Sequence, residues 1–314
     1  MELTVTDFGL RIPDFPVDGA PSRAFLAQID ELMDAGRGAF VSAWVADHFV
    51  PWAGFQDPMT PTYECWTTLT YLAGAHKDYL LGSIVLSQSY RPPALTAKMA
   101  ATLQELSGGR LVLGLGAGWK KDEYLAYGYD FPAPAERVHQ LEETVQIIRR
   151  MWTEPRATFE GRVYRITDAI CEPKPSPLPP IMIGGGGKKL MLRLVARYAD
   201  WWNIPGGSAD RYADLLATLR AHCADVGREY DSIVKTWECE CVAVAGTSAE
   251  ARRMAEGSPF YNPEDSIVGT PDEVAAQLRR YTDLGATHFM LRFADFPRTD
   301  AMRLFAREVI PQFR

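Results

Sequence analysis

Several protein classes are excluded by what this sequence lacks. Its 314 residues contain only five cysteines, an odd number at scattered positions, so a disulfide framework is not expected. Two of them are spaced to share one face of a strand, but no neighbouring residues complete a zinc site, and reduced, buried thiols are expected. No apolar run approaches the ~18 residues that a membrane-spanning helix needs. The cysteines are Cys65, Cys171, Cys223, Cys239 and Cys241.

Positive charge is also scarce. The chain carries 33 lysines and arginines against 40 aspartates and glutamates, a formal net charge of -7. This balance argues against a general nucleic-acid surface or an anionic-membrane surface. The first residues, Met1 to Asp7, have neither a basic flank nor an apolar signal core. They predict a first strand in a cytoplasmic protein without a signal peptide.

Glycine, in contrast, is concentrated at one informative place. Residues 184–187 are four consecutive glycines, which follow the short apolar strand at 180–183 and precede a helical run at 188–196. Backbone N–H groups of such a loop, together with the positive end of the helix dipole, suit a phosphate group. Lys188, Lys189 and Arg193 favour this interpretation. A flexible connector between strand and helix is the alternative.

Apolar periodicity alternates between strand and helix along the whole chain. Eight such units in about 300 residues predict a single (β/α)8 barrel, a TIM barrel. A doubly wound sheet is the alternative, but Trp119 stands where its dinucleotide fingerprint after Gly114, Gly116 and Gly118 requires another glycine. The predicted strands are 5–11, 40–46, 79–86, 110–115, 181–183, 200–203, 235–245 and 287–292. The predicted helices lie around residues 25–33, 66–75, 93–106, 141–152, 189–198, 212–223 and 271–284, with one more at the C-terminus.

One stretch interrupts the alternation. Residues 158–166, with Glu160 and Gly161 at the turn, predict a β-hairpin, and residues 172–180 are a proline-rich connector. Because alternation resumes at Ile181, we interpret residues 155–180 as an insertion in one domain that spans residues 1–314.

In a barrel of this kind the chemistry lies at the carboxyl ends of the strands. His48, after Asp47 at the end of the second strand, is the strongest candidate for acid, base or hydrogen-bond chemistry. The glycines at 114, 116 and 118 admit either a flat ring or a close neighbouring backbone. Residues 120–123 are interpreted as a solvated charged loop, with a functional role for one of them as the alternative. Glu64 is interpreted either as a functional residue or as the start of a helix, where the dipole favours a carboxylate.

Taken in order, these strand ends resemble the luciferase-like monooxygenase superfamily and, within it, the coenzyme F420-dependent oxidoreductases. The similarity covers nearly the whole chain. The matching stretches are 44–49, 89–95, 106–110, 114–119, 136–138, 180–203 and 269–274.

The resemblance implies a barrel that binds coenzyme F420 across its mouth and acts on a small-molecule substrate. It also implies that the protein forms a homodimer. Asp47 and His48 would flank the ring as catalytic residues. A bulge at Ile84 and Val85, with a non-prolyl cis peptide between them, would support the ring. The other implied cofactor-binding residues, which line the ring and its tail or hold the phosphate, are Ser87, Gly116, Ala117, Gly118, Gly184, Gly185, Gly186 and Gly187.

These features predict hydride transfer between F420 and an organic molecule. Because FMN is also flat, tricyclic and phosphorylated, an FMN-dependent monooxygenase is the first alternative. A non-catalytic flavin-binding protein is the second.

Overall fold

The computed structural model describes residues 6–52 and 57–314. Val5, predicted to open the first strand, lies outside these residues. The strands are β1 (Asp7–Arg11), β2 (Ser42–Val45), β3 (Leu80–Ser83), β4 (Leu86–Ser87), β5 (Leu111–Gly116), β6 (Ala157–Glu160), β7 (Arg165–Ala169), β8 (Ile181–Gly184), β9 (Trp201–Asn203), β10 (Val234–Val244), β11 (Ile267–Gly269) and β12 (His288–Phe293).

The helices cover the segments between these strands. They are α1 (Ser22–Gly36), α2 (Cys65–Ala75), α3 (Pro93–Ser107), α4 (Lys121–Ala126), α5 (Pro134–Thr153), α6 (Met191–Tyr198), α7 (Ala209–Val226), α8 (Ser248–Glu256), α9 (Pro271–Thr282) and α10 (Asp300–Glu308). Short 3-10 helices follow at Tyr230–Ser232 and Ile310–Phe313. Among the residues that the structure describes, no helix has the length and apolar character needed to cross a membrane.

The strands form a closed parallel barrel. The pairing order is β12, β1, β2, β3, β5, β8, β9 and β10, and β10 pairs in turn with β12. Register at the closure is set by Val234 beside Trp201 and Thr236 beside His288. The predicted (β/α)8 barrel is therefore confirmed and the doubly wound alternative is wrong. An extra strand that was not predicted, β11, pairs with the far end of β10.

Large side chains fill the barrel interior because glycines on neighbouring strands leave room for them. Trp44 is fully buried, and a Cβ atom added at Gly82 would overlap its ring. His288 accompanies it and pairs with the Ser42 hydroxyl at 2.8 Å. Burial lowers the pKa of His288 to about 3, so this histidine is a neutral packing residue. The larger core lies outside, between strands and helices.

Three local differences from the sequence predictions bear on the site. The strand predicted at 79–86 is divided into β3 and β4 by Ile84 and Val85. The hairpin runs from β6 to β7 and extends past the predicted end at Ile166. The segment with Lys121 to Glu123, interpreted as a solvated loop, forms the first turn of α4. A single domain over 1–314 stays a prediction.

Candidate active site at the carboxyl ends of the barrel strands

A cavity of about 400 Å³ lies at the carboxyl ends of the barrel strands. Every site residue predicted from the sequence lines it, except Gly186 and Gly187. The predicted residues it brings together are Asp47, His48, Ile84, Val85, Ser87, Gly116, Ala117, Gly118, Gly184 and Gly185. The other residues of the wall are Arg11, Ala46, Trp52, Tyr90, Trp119, Lys120, Tyr124, Met191, Asn203, Pro205, Glu238 and Glu240.

The bulge between β3 and β4 forms one wall of this cavity. The peptide bond between Ile84 and Val85 is cis, as the resemblance implied. The Val85 side chain lies against two glycines on neighbouring strands. A Cβ atom added at Gly116 would lie 2.5 Å from Val85 Cγ2, and one at Gly184 would lie 2.9 Å from Val85 Cγ1. Both positions therefore need glycine while valine occupies the bulge.

The exit of β5 is closed by a tyrosine that crosses over the backbone. An added Cβ at Gly118 would overlap the Tyr124 hydroxyl, and Gly118 has a φ of +77°, a conformation that favours glycine. The same hydroxyl forms a short hydrogen bond with Ser87 Oγ. The Tyr124 hydroxyl thus lies against Gly118 and bonds Ser87 at the cavity wall.

His48 is held by a buried carboxylate. Its Nδ1 lies 2.9 Å from Glu123 Oε2, and Glu123 also accepts hydrogen bonds from Phe49 N (2.6 Å), Val50 N (3.2 Å) and the Tyr90 hydroxyl (2.9 Å). Burial alone would raise the pKa of Glu123, but the hydrogen bonds and charge of His48 and the other donors hold this pKa below its ordinary value. An ionised carboxylate only accepts, so Nδ1 carries a proton and Nε2 is left as the second ring nitrogen for the cavity.

The interpretation of Glu123 as part of a solvated loop is therefore wrong. Its residue exposure is 2%. The four charged residues at 120–123 gave no sign of burial, because helix α4 is short and only Glu123 and Tyr124 turn inward. The partner of Glu123 is 75 positions away in the chain, a distance over which local pattern carries no signal.

Asp47 lies beside His48 but points to a different partner. Both carboxylate oxygens accept from Arg91, at 2.9 Å each, and Oδ2 also accepts from Ser87 N at 2.9 Å. Arg91 in turn bonds Glu64 Oε1 at 2.5 Å, while Glu64 caps helix α2 by accepting from two of its N–H groups. Because its oxygens are engaged in this way, Asp47 fits a positioning role better than direct proton transfer.

A cluster of five charged residues, four of them buried, contributes Arg11, Glu238 and Glu240 to the cavity wall. Arg11 donates to Asp14 (3.0 Å) and to Glu238 (2.9 Å), and it lies 3.5 Å from Glu240. Arg292 lies 3.2 Å from Glu240 and 3.7 Å from Asp14. Two cations thus face three carboxyl groups.

The protonation states of the three carboxyl groups follow from their burial and from the charges beside them. Burial and the neighbouring Glu240 raise the pKa of Glu238. Burial would also raise the pKa of Glu240 and of Asp14, but Arg11 and Arg292 hold both below their ordinary values. The cluster therefore has no surplus positive charge at neutral pH. Glu238 and Glu240 alternate with two cysteines in strand β10, which is a signal that sequence reasoning missed.

The four-glycine loop differs in part from its prediction. The helix begins at Met191, because residues 188–190 form a separate turn. The Gly185 N–H already donates to Asn203 O at 3.0 Å. The N–H groups of residues 186–189 donate no hydrogen bond to any residue that the structure describes. Lys188 pairs with Asp214 at 2.5 Å, outside the cavity.

Comparison with known proteins places this geometry in context. A sequence model of the luciferase-like monooxygenase family matches residues 16–266. The F420-dependent glucose-6-phosphate dehydrogenase of Kineococcus radiotolerans is 30% identical, over 91% of this chain and 92% of that protein. The F420-dependent hydroxymycolic acid dehydrogenase of Mycobacterium tuberculosis is 31% identical, over 89% of this chain and 82% of that protein.

A solved structure agrees in fold. The F420-dependent secondary alcohol dehydrogenase in complex with an F420-acetone adduct superposes with a TM-score of 0.84, over 99% of each chain. Since its sequence is 20% identical, this likeness bears on the fold alone.

Proposed function

The chain belongs to the luciferase-like monooxygenase family, and we propose that it is an oxidoreductase that transfers a hydride between coenzyme F420 and an organic small molecule. The observation that carries the proposal is the cavity itself. It unites the Val85 bulge, the glycines beneath it and the His48–Glu123 pair in a chain whose relatives are named F420-dependent dehydrogenases.

The residues present fit a flat, phosphorylated cofactor. Gly116 and Gly184 make room for the Val85 side chain, and Gly118 makes room for the Tyr124 hydroxyl, so these side chains can form a wall against which a flat ring lies. The N–H groups of residues 186–189 supply donors suited to a phosphate. Gly186 and Gly187 keep their predicted role as proposals, although they lie outside the cavity wall.

The chemistry divides between cofactor and protein. When bound, F420 supplies the deazaflavin ring that accepts or returns a hydride. His48 is proposed to exchange the accompanying proton through Nε2: it takes the proton from a substrate hydroxyl during oxidation and returns it during reduction. Glu123 orients the His48 imidazole ring through its Nδ1 and stabilises the imidazolium that forms when His48 takes the proton.

Asp47 is proposed to act through position. Its carboxylate accepts from Arg91 and from the N–H of Ser87, which belongs to the strand β4 that follows the Ile84–Val85 bulge. A homodimer and a cytoplasmic location remain predictions that rest on the resemblance and on the sequence.

Cofactor identity is the first test. Titration followed by fluorescence is expected to show F420 binding at least tenfold more tightly than FMN, a difference of about 1.4 kcal/mol. Equal or reversed affinities would favour the FMN-dependent monooxygenase. Tight binding of F420 with no turnover of any alcohol or carbonyl compound would favour the non-catalytic flavin-binding protein.

The phosphate position is tested at Gly187. An added Cβ there meets only Met191 Cβ, at 3.3 Å, so Gly187→Val is expected to preserve the fold. Its branched side chain would obstruct the neighbouring N–H groups, and F420 affinity is expected to fall at least tenfold, about 1.4 kcal/mol. Gly186 is less suitable, because its Cβ would lie 2.9 Å from Ile204 Cδ1.

A matched control is Gly74→Val, because an added Cβ at Gly74 meets no neighbouring atom within 4 Å. Thermal melts would verify that both variants fold. If Gly187→Val binds F420 normally, the phosphate lies elsewhere, and Lys120 at the cavity wall is the next position to change.

A further inference from the structure

A second cavity of about 300 Å³ adjoins the first. Trp52, Pro205 and Glu240 line both cavities, so these three residues form the boundary between them. We call the second cavity the side chamber; its remaining wall comes from Gly206, Cys241, Asp265 and Ser266, and from residues 259–262. A ligand that reaches His48 from the side chamber must pass Glu240 and Trp52.

The walls of the side chamber combine aromatic rings with acceptors. Trp52 and Phe260 lie with their ring centroids 5.5 Å apart, and Tyr261 lines the same space. The acidic groups are Glu240 and Asp265. Aromatic faces beside carboxylates suit a molecule with C–H surfaces and hydroxyl donors.

The side chamber offers no free positive charge. None of its lining residues is a lysine or arginine in the part of the chain that the structure describes, and neither Met1–Val5 nor Ala53–Gln56 contains one in the sequence. Lys120 lines the first cavity and pairs with Asp122 at 2.6 Å. A phosphorylated group placed in the side chamber would therefore lose its hydration without a cation in the wall around it.

The two buried arginines do not change this balance. Arg11 is engaged by Asp14, Glu238 and the Ile12 carbonyl. Arg292 is 2% exposed, faces Glu240, and has the Phe260 ring 4.0 Å from its guanidinium carbon. Neither arginine lines the side chamber, although none of the three guanidinium nitrogens of Arg292 has a hydrogen-bond partner among the described residues.

Glu240 is the group best placed to meet a substrate. Its side chain keeps 26% exposure, whereas that of Glu238 keeps 5%. Glu240 Oε2 is buried beside Arg292 Nε, at 3.2 Å, so the exposed part of the side chain includes Oε1, which lies 3.5 Å from Arg11 Nε. A carboxylate oxygen at the boundary of two cavities can accept a hydrogen bond from a donor such as a substrate hydroxyl group.

We propose that the substrate of this enzyme is an uncharged, hydroxyl-bearing molecule of the unphosphorylated sugar, polyol or alcohol class, which donates a hydrogen bond to Glu240 and rests against Trp52. The proposal rests on the proposed function and deepens it. It separates this chain from the relative named for glucose 6-phosphate. The pKa of Glu240, held below its ordinary value, supports an acceptor that stays ionised at neutral pH.

The test compares matched pairs of compounds with the F420-loaded enzyme. Glucose with glucose 6-phosphate, and glycerol with glycerol 3-phosphate, differ only by the phosphate group. Turnover is followed by F420 absorbance, and binding by the change in protein fluorescence. The neutral member of at least one pair is expected to show a kcat/KM at least tenfold higher than its partner, about 1.4 kcal/mol.

Three results would overturn the proposal. One is a preference for the phosphorylated members, which would mean that Phe260 moves to uncover Arg292 as an anion receptor. Another is the absence of both turnover and binding for every neutral compound. The third is equal kcat/KM within the pairs. F420 binding is measured separately, so its failure would count against the proposed function instead.

The role of Glu240 is tested by Glu240→Gln, which keeps the shape and removes the charge. It is expected to raise KM for the neutral substrate about tenfold with little change in F420 affinity, a loss typical of a hydrogen bond to a charged group. Glu264→Gln is the control, because Glu264 is exposed and outside both cavity walls. Equal KM values for the two variants would remove Glu240 from the substrate site.

Discussion

Replacement of His48 by alanine is expected to lower turnover by roughly 10²–10⁴-fold while F420 affinity changes little. The reason is geometric. His48 lines the cavity beside the Val85 bulge, and its Nδ1 is already committed to Glu123, so Nε2 is the nitrogen that exchanges a proton. Steady-state kinetics with the best substrate of the matched panel, beside an F420 titration, measure both quantities.

Two further variants separate chemistry from position. His48→Asn keeps an N–H donor near the place of Nδ1 for Glu123 but cannot exchange the proton, so its turnover is expected to be as low as that of His48→Ala. His139→Ala, on α5 and outside the cavity wall, is the control and is expected to retain full turnover. If His48→Asn retained full turnover, His48 would be a packing residue.

The barrel could be predicted because its determinants are local. Each strand is a short apolar segment, and each helix has an apolar face that repeats over its own length. Eight repeats of this kind leave few arrangements that bury every strand. The bulge and the cis bond came from the resemblance, since no periodicity specifies a break between β3 and β4, whereas the glycines were visible in the sequence itself.

The charged residues of the site could not be predicted in the same way. Arg11 and Glu238 bond each other across 227 positions, and only closure of the barrel brings β1 and β10 to one mouth. The start of α6 was placed too early for a related reason. Lys188 and Lys189 have good helix propensity, but Lys188 pairs with Asp214 on α7, and the chain makes a turn before Met191.

Glu123 is the site residue whose role depends most on contacts between distant parts of the chain. Its removal is expected to cause a large loss of stability. Glu123→Ala leaves His48, two backbone N–H groups and the Tyr90 hydroxyl without their acceptor. Loss of one partner from a buried charged network is expected to lower the free energy of unfolding by about 3–5 kcal/mol. Urea denaturation at neutral pH measures it, with exposed Glu105→Gln as the control.

The pH dependence of stability identifies the carboxylate as the cause. Since the pKa of Glu123 is held below its ordinary value of about 4.3, its stabilisation is complete above that pH and is lost as pH falls through the lower, folded-state pKa. Glu123→Gln lacks this component. The stability difference between wild type and Glu123→Gln is therefore expected to be constant near neutrality and to shrink on acidification. A difference that stays constant into the acid range would show that shape, not charge, makes Glu123 necessary.

The catalytic part of the same argument is tested by combining the changes. If Glu123 acts through His48, Glu123→Gln is expected to lower turnover in the wild-type background and to have almost no further effect in the His48→Ala background, because the group it orients is gone. Additive losses would mean that Glu123 affects the reaction by another route, such as the Phe49 and Val50 backbone that it also binds. The double variant thus distinguishes a residue that positions the proton-exchanging histidine from one that only holds the cavity wall in place.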